Sequence, residues 1–120
     1  MKDDNIIKDK SLAFAIRIVN LYKYLTKEKQ EYVLSKQILR SGTSIGANIR
    51  EALAGQTKPM FTAKLNIALC EAHETEYWLD LLYATDYLSD HEIESIKEEC
   101  VELIRLLTSI IKTTRQNELL

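Results

Sequence analysis

Cys70 and His73 stand three positions apart in LCEAHETEYW, one helical turn, so a thiolate and an imidazole there could reach a common cation. Two ligands from one helix are a weak metal signal, and a packed thiol beside a surface histidine is the plainer reading. His73-Glu74 is not followed by a second histidine, which removes the zinc-protease pattern. A di-iron bundle needs a glutamate three positions before a histidine, and neither His73 nor His91 has one. Gly42-Thr43-Ser44-Ile45-Gly46 has the composition of a phosphate-cradling loop, but it lacks the Gly-Lys-Ser/Thr element and a preceding strand. The expectation is a non-enzyme with no catalytic residues, no metal site and no cofactor.

The chemistry that remains is charge. Sixteen Lys and Arg against eighteen Asp and Glu give −2, too little positive charge for a generic polybasic nucleic-acid binder. The balance is uneven along the chain: residues 1–64 carry twelve basic and six acidic residues, or +6, whereas residues 65–120 carry four and twelve, or −8. Lys36, Arg40 and Arg50 share one side of a helix, and with Arg17, Lys58 and Lys64 they could form a phosphate-binding surface. Alternatively, Glu71 and Glu74 could meet Arg40 or Arg50 across an antiparallel helix pair and set its register. The charge split itself leaves both readings open.

Those side chains need helices to hold them. Three glycines and one proline in 120 residues are too few for a sheet-rich fold. Apolar periodicity predicts helices over about 8–26, 31–54, 58–88 and 90–115, forming one domain over 1–120. Short connections make neighbours antiparallel, so the expected fold is all-α, an up-down-up-down four-helix bundle. Gly55-Gln56-Thr57 reads as a helix stop and restart with Pro59 in the next first turn, and Ser89 with Glu92 reads as a capping box. The first helix carries two stripes, one of Leu12, Ala15, Ile16, Val19 and Tyr22 and one of Phe14, Ile18, Leu21 and Leu25.

The third helix is apolar on two sides: Phe61, Leu65, Ala68, Ala72, Leu79 and Leu82 form one stripe, and Ile67, Trp78, Leu81 and Leu88 the other. A bundle core needs one stripe, so the second points to self-association. Gly42 and Gly46 inside the second helix cost about 1 kcal/mol each relative to alanine, which a close helix–helix approach would offset. There is no run of about 20 apolar residues and no signal-peptide pattern, and Cys70 and Cys100 read as free thiols; the expected location is the cytoplasm, without membrane partners.

Two stretches carry a resemblance. Arg40, Ser41, Ser44, Ile45, Asn48, Ile49 and Glu51 form one spaced pattern. Lys64, Leu65, Ala68, Glu71, Glu74, Thr75, Trp78 and Leu79 form a second. Both are similar to the signatures of the bacterial four-helix-bundle proteins encoded in intervening sequences of the 23S ribosomal RNA gene, distant relatives of the accessory protein of diversity-generating retroelements. The resemblance runs from about Leu12 to Thr114. It implies a ring-shaped homopentamer associated with RNA or DNA. Gly42, Gly46, Asn48, Glu71, Glu74 and Trp78 are expected in packing roles. The alternative is a homo-oligomeric scaffold that binds no nucleic acid and serves a protein encoded nearby.

Overall fold

The computed structural model describes residues 2–118, which form four helices and, among the described residues, no strand. They are α1 (Lys2–Lys27), α2 (Leu34–Ala54), α3 (Lys58–Ala84) and α4 (Asp90–Glu118). Each packs against its chain neighbours, and α1 closes against α4, giving a rod of 51 × 22 × 20 Å. The core is a column of aliphatic side chains from all four helices, including Phe14, Ile18, Ile38, Ile45, Leu65, Leu79, Leu103 and Leu107.

Four helix boundaries depart from the expected ones: α4 runs on to Glu118 rather than about 115, and the other three depart for local reasons. Helix α1 begins earlier than residue 8 because Ile7 joins the buried stripe of Ser11, Phe14 and Ile18. Ser11 interrupts that stripe in sequence, yet it is buried with its hydroxyl bonded to the Lys8 carbonyl at 3.0 Å. Helix α2 begins at Leu34 rather than 31, because Glu31 acts as its cap. The Glu31 carboxylate accepts from the amides of Val33 at 3.1 Å and Ser35 at 2.6 Å, filling the role that Val33 at the N-cap position has no side chain to fill.

Helix α3 stops at Ala84 instead of 88. Asp86 adopts φ 68°, and the amides of Asp86 and Tyr87 turn back to the carbonyls of Tyr83 and Leu82, which closes the helix in a Schellman motif. The other ends follow the expected signals. Thr57 caps α3 by accepting from the Met60 amide at 3.2 Å, with Pro59 in the first turn. Ser89 and Glu92 exchange side-chain and backbone hydrogen bonds as a capping box.

Candidate interaction surface

Among the described residues, four cations of the basic half are held in ion pairs on the surface of the bundle. Arg17 on α1 donates to Glu99 at 2.5 Å and to Ser95 at 2.7 Å on α4. Two turns away along α1, Lys10 pairs with Glu102 at 3.0 Å. Arg40 on α2 spans Glu71, at 3.0 Å, and Glu74 on α3. Lys64 on α3 reaches back to Glu51 on α2 at 3.1 Å, and Lys97 on α4 to Asp80 on α3 at 2.6 Å. Much of the charge asymmetry in the sequence is therefore spent between helices, where the basic α1 and α2 meet the acidic α3 and α4.

The Arg40 site is the most elaborate of these. The Glu74 carboxylate accepts from the Trp78 indole at 3.0 Å as well as from Arg40. The Trp78 indole foremost, and then the guanidinium, hold the Glu74 carboxyl below the usual carboxylate range, while Glu74 and Glu71 push the Arg40 guanidinium up. Trp78 in turn takes the edge of Tyr77, with ring centroids 5.1 Å apart. Beneath this surface cluster the Ser41 and Thr75 hydroxyls are hydrogen-bonded at 2.9 Å, both fully buried. Asn48 turns inward along its own helix, its amide donating to the Ser44 carbonyl at 2.9 Å.

Of the residues considered for phosphate contact, Arg17, Arg40 and Lys64 are thus paired. Lys36, Arg50 and Lys58 are exposed and, among the described residues, make no ion pair. Lys36 and Arg50 remain on the outward side of α2, and Lys58 lies at the start of α3.

The two glycines behave differently. A Cβ built on Gly42 would lie 2.7 Å from Ile18 Cγ1 and 2.8 Å from Cγ2, so the Ile18 side chain of α1 sits directly on the bare backbone of α2 there. At Gly46 the nearest atom is Ser11 Oγ at 3.4 Å, ordinary contact. Gly46 instead opens a shallow apolar groove between α1 and α2, lined by Leu12, Ala15, Thr43, Ala47 and Arg50.

That groove borders a feature the sequence reading located on only one helix. Leu12, Ile16 and Val19 are 48%, 55% and 36% exposed and form a continuous stripe along the outside of α1. The other α1 stripe, Phe14, Ile18 and Leu25, fills the core. On α3 the first stripe is buried apart from the half-buried Phe61, whereas Ile67 and Tyr77 stand in solvent at 44% and 59% and Trp78 and Leu81 are half-buried. Leu88, assigned to this outer stripe, is instead buried in the turn after α3. The signal for the α1 stripe was present in its period, but one core face and one bare face look alike until packing chooses between them.

Among the described residues no cluster of His, Cys, Asp or Glu has the makings of a metal site. Cys70 is exposed; Cys100 is buried against the Ala72 carbonyl, its thiol pushed up to about 12 by burial and by nearby Glu76 and Asp80. No helix of the described residues is long and apolar enough to cross a membrane.

Comparison with known proteins gives a consistent result. Residues 3–109 match the model of the 23S rRNA-intervening sequence protein family. A solved structure from Bacteroides thetaiotaomicron VPI-5482, described as a protein with unknown function from the S23 ribosomal protein family, is 62% identical. The match covers 92% of this chain and 98% of that one, with a TM-score of 0.90. No curated protein matches the chain.

Proposed function

The chain belongs to the 23S rRNA-intervening sequence protein family, and from that premise we propose that it is a non-enzymatic scaffold that works as a homo-oligomer in the cytoplasm. The observation that carries this reading is the bare apolar stripe of Leu12, Ile16 and Val19 beside the apolar groove at Gly46. A contiguous apolar strip on a small domain marks a place where another surface docks. Five subunits is the assembly that the resemblance to the intervening-sequence proteins implies. Sedimentation or light scattering tests the reading: the protein runs as a multiple of 13.9 kDa at micromolar concentration, and Ile16→Glu reduces that mass. A wild-type monomer overturns it.

A second reading, direct association with RNA or DNA, is favoured by one observation: Lys36, Arg50 and Lys58 remain exposed and unpaired among the described residues. Repeated around an oligomer, weak phosphate contacts from these cations would add by multivalency. Against it, the net charge of −2 per chain repels nucleic acid, and Arg17 and Arg40 are engaged by carboxylates. Binding to RNA and duplex DNA at about 50 and about 200 mM salt separates the two readings. Binding that falls steeply with salt and is lost on reversing Lys36 and Arg50 to glutamate supports the second; absence of binding at the lower salt leaves the scaffold.

A further inference from the structure

The acidic half of the chain changes sign before its end. From residue 65 to 102 it carries eleven Asp and Glu against one cation, Lys97. From 103 to 117 it carries Arg105, Lys112 and Arg115 and no Asp or Glu. The opening stretch of α3, residues 58–70, has no Asp or Glu either. The Cys100 thiol meets the Ala72 carbonyl and α4 runs antiparallel to α3, so the two carboxylate-free stretches run alongside each other.

Between them lies a groove of about 320 Å³. Its floor is apolar, made by Leu69 of α3 and Ile111 of α4, with Asn66 and Thr108 beside them. Lys112 and Arg115 line the same groove, at three- and four-residue steps from Thr108 and Ile111 that share one face of α4. Both cations are exposed and make no ion pair among the described residues. Elsewhere in the bundle Arg17, Arg40, Lys64 and Lys97 each close on a carboxylate of a neighbouring helix. Here the seam supplies cations without carboxylates.

Two free cations beside an apolar trough call for a ligand with the matching two parts. An aliphatic chain laid on Leu69 and Ile111 leaves water. A carboxylate accepts charge-assisted hydrogen bonds from the Lys112 ammonium and the Arg115 guanidinium. A bare anion leaves the trough wet, and a neutral chain leaves the cations unanswered.

We infer that this α3–α4 groove binds a medium-chain carboxylate, one per chain, with its alkyl part along the floor and its head between Lys112 and Arg115. None of Leu12, Ile16 and Val19 lines the groove, so a lone chain binds as an assembled one does.

Titration calorimetry with decanoate, kept below its micelle concentration, tests this. Wild type is expected to bind one decanoate per chain, with amide shifts in the NMR spectrum centred on residues 66–69 and 108–115. Each methylene added between hexanoate and decanoate should tighten binding about two- to fourfold, as apolar area leaves water. Decanol should bind at least about tenfold more weakly, because it pairs with neither cation. Acetate and inorganic phosphate should show no measurable binding.

Lys112→Gln with Arg115→Gln should weaken decanoate binding at least about tenfold. Lys23→Gln with Lys27→Gln, which removes the same charge from exposed positions on α1, should leave it unchanged. Thr108→Phe, at an exposed position, fills the groove and should abolish binding. Unchanged melting temperatures establish that the variants are folded; should Thr108→Phe lose structure, Thr108→Met replaces it.

Equal affinity for decanol and decanoate, or full affinity in Lys112→Gln with Arg115→Gln, removes the cations from the site and overturns the inference. Inorganic phosphate that displaces decanoate reduces the groove to a general anion patch and overturns it too. So does association with anionic vesicles but not with monomeric decanoate, which makes the seam a membrane contact. A wild type that binds no decanoate overturns it outright and leaves the scaffold reading as it stands.

Discussion

The hydroxyls of Ser41 and Thr75 meet at 2.9 Å between α2 and α3, sealed beneath the pairing of Arg40 with Glu71 and Glu74. Thr75 is also bonded to the Glu71 carbonyl at 2.8 Å. A buried hydroxyl that loses its partner keeps its desolvation cost, about 1–3 kcal/mol. Thr75→Val preserves shape and leaves Ser41 only its long bond to the Ile38 carbonyl at 3.5 Å, so it is expected to lower unfolding free energy by about 1–2 kcal/mol. The double variant Thr75→Val with Ser41→Ala should recover part of that loss, measured by urea denaturation. A recovery of zero would mean that the two hydroxyls are not coupled.

Gly42 and Gly46 make opposite predictions from the same residue type. Gly42→Ala drives a methyl group into the branched, rotamer-stiff side chain of Ile18, and the expected cost is about 1–3 kcal/mol despite the gain in helix propensity. Gly46→Ala meets only ordinary contacts, so the propensity gain of up to about 1 kcal/mol should appear as stabilisation. Melting temperatures of the two variants, moving in opposite directions from wild type, check this.

The difference between those glycines shows what the sequence made legible and what it did not. Helical period placed four helices and the buried residues of α3, and the Thr57 and Ser89 caps were readable because their chemistry is local. Glu31 was read as helix because its role depends on the chain folding back two to four residues, which period does not report.

On α1 the sequence offered two equivalent stripes, and only the closeness of α2 at Gly42 fixes Ile18 as core and Ile16 as surface. The match of Arg40 with Glu71 and Glu74 was one of two open readings. That Arg50 is left unpaired depends on its pointing away from α3 and toward the α1 groove, a rotation that only the packed helix pair reveals.

Glu31 links the cap to pH. Burial pushes its carboxyl up, but the amides of Ser35, Leu34 and Val33 and the Ser35 hydroxyl outweigh burial and hold it below its ordinary 4.5. A carboxyl held lower in the folded chain than in the unfolded one contributes stability that is whole above about pH 5. That contribution is lost as the pH falls through the folded value. Glu74 and Glu92 are held low as well, Glu74 chiefly by the Trp78 indole and Glu92 chiefly by the Ser89 amide. Glu31→Gln should cost about 1–2 kcal/mol near neutral pH through the weakened cap. Its deficit relative to wild type should shrink at an acid pH below the folded value, where the wild-type carboxyl is itself protonated. Urea midpoints at the two pH values give the comparison; a deficit equal at both assigns the effect to shape rather than charge.

Cys70 reports on assembly without any added label. It stands exposed on α3 between Ile67 and Tyr77, whereas Cys100 lies buried with its thiol pushed up to about 12. A thiol reagent attacks the thiolate, so Cys100 should be inert in the folded chain and react only on unfolding. If the proposed self-association covers the outer face of α3, Cys70 lies beneath it. Alkylation of native wild-type protein above its assembly concentration should therefore be slow at Cys70. Ile16→Glu, expected to weaken self-association, should restore fast modification of one thiol per chain, as should dilution of the wild type below its assembly concentration. Mass spectrometry of the modified chain identifies the residue. Equal alkylation rates in the assembled wild type and in Ile16→Glu would place Cys70 outside the contact and move the docking site off this part of α3.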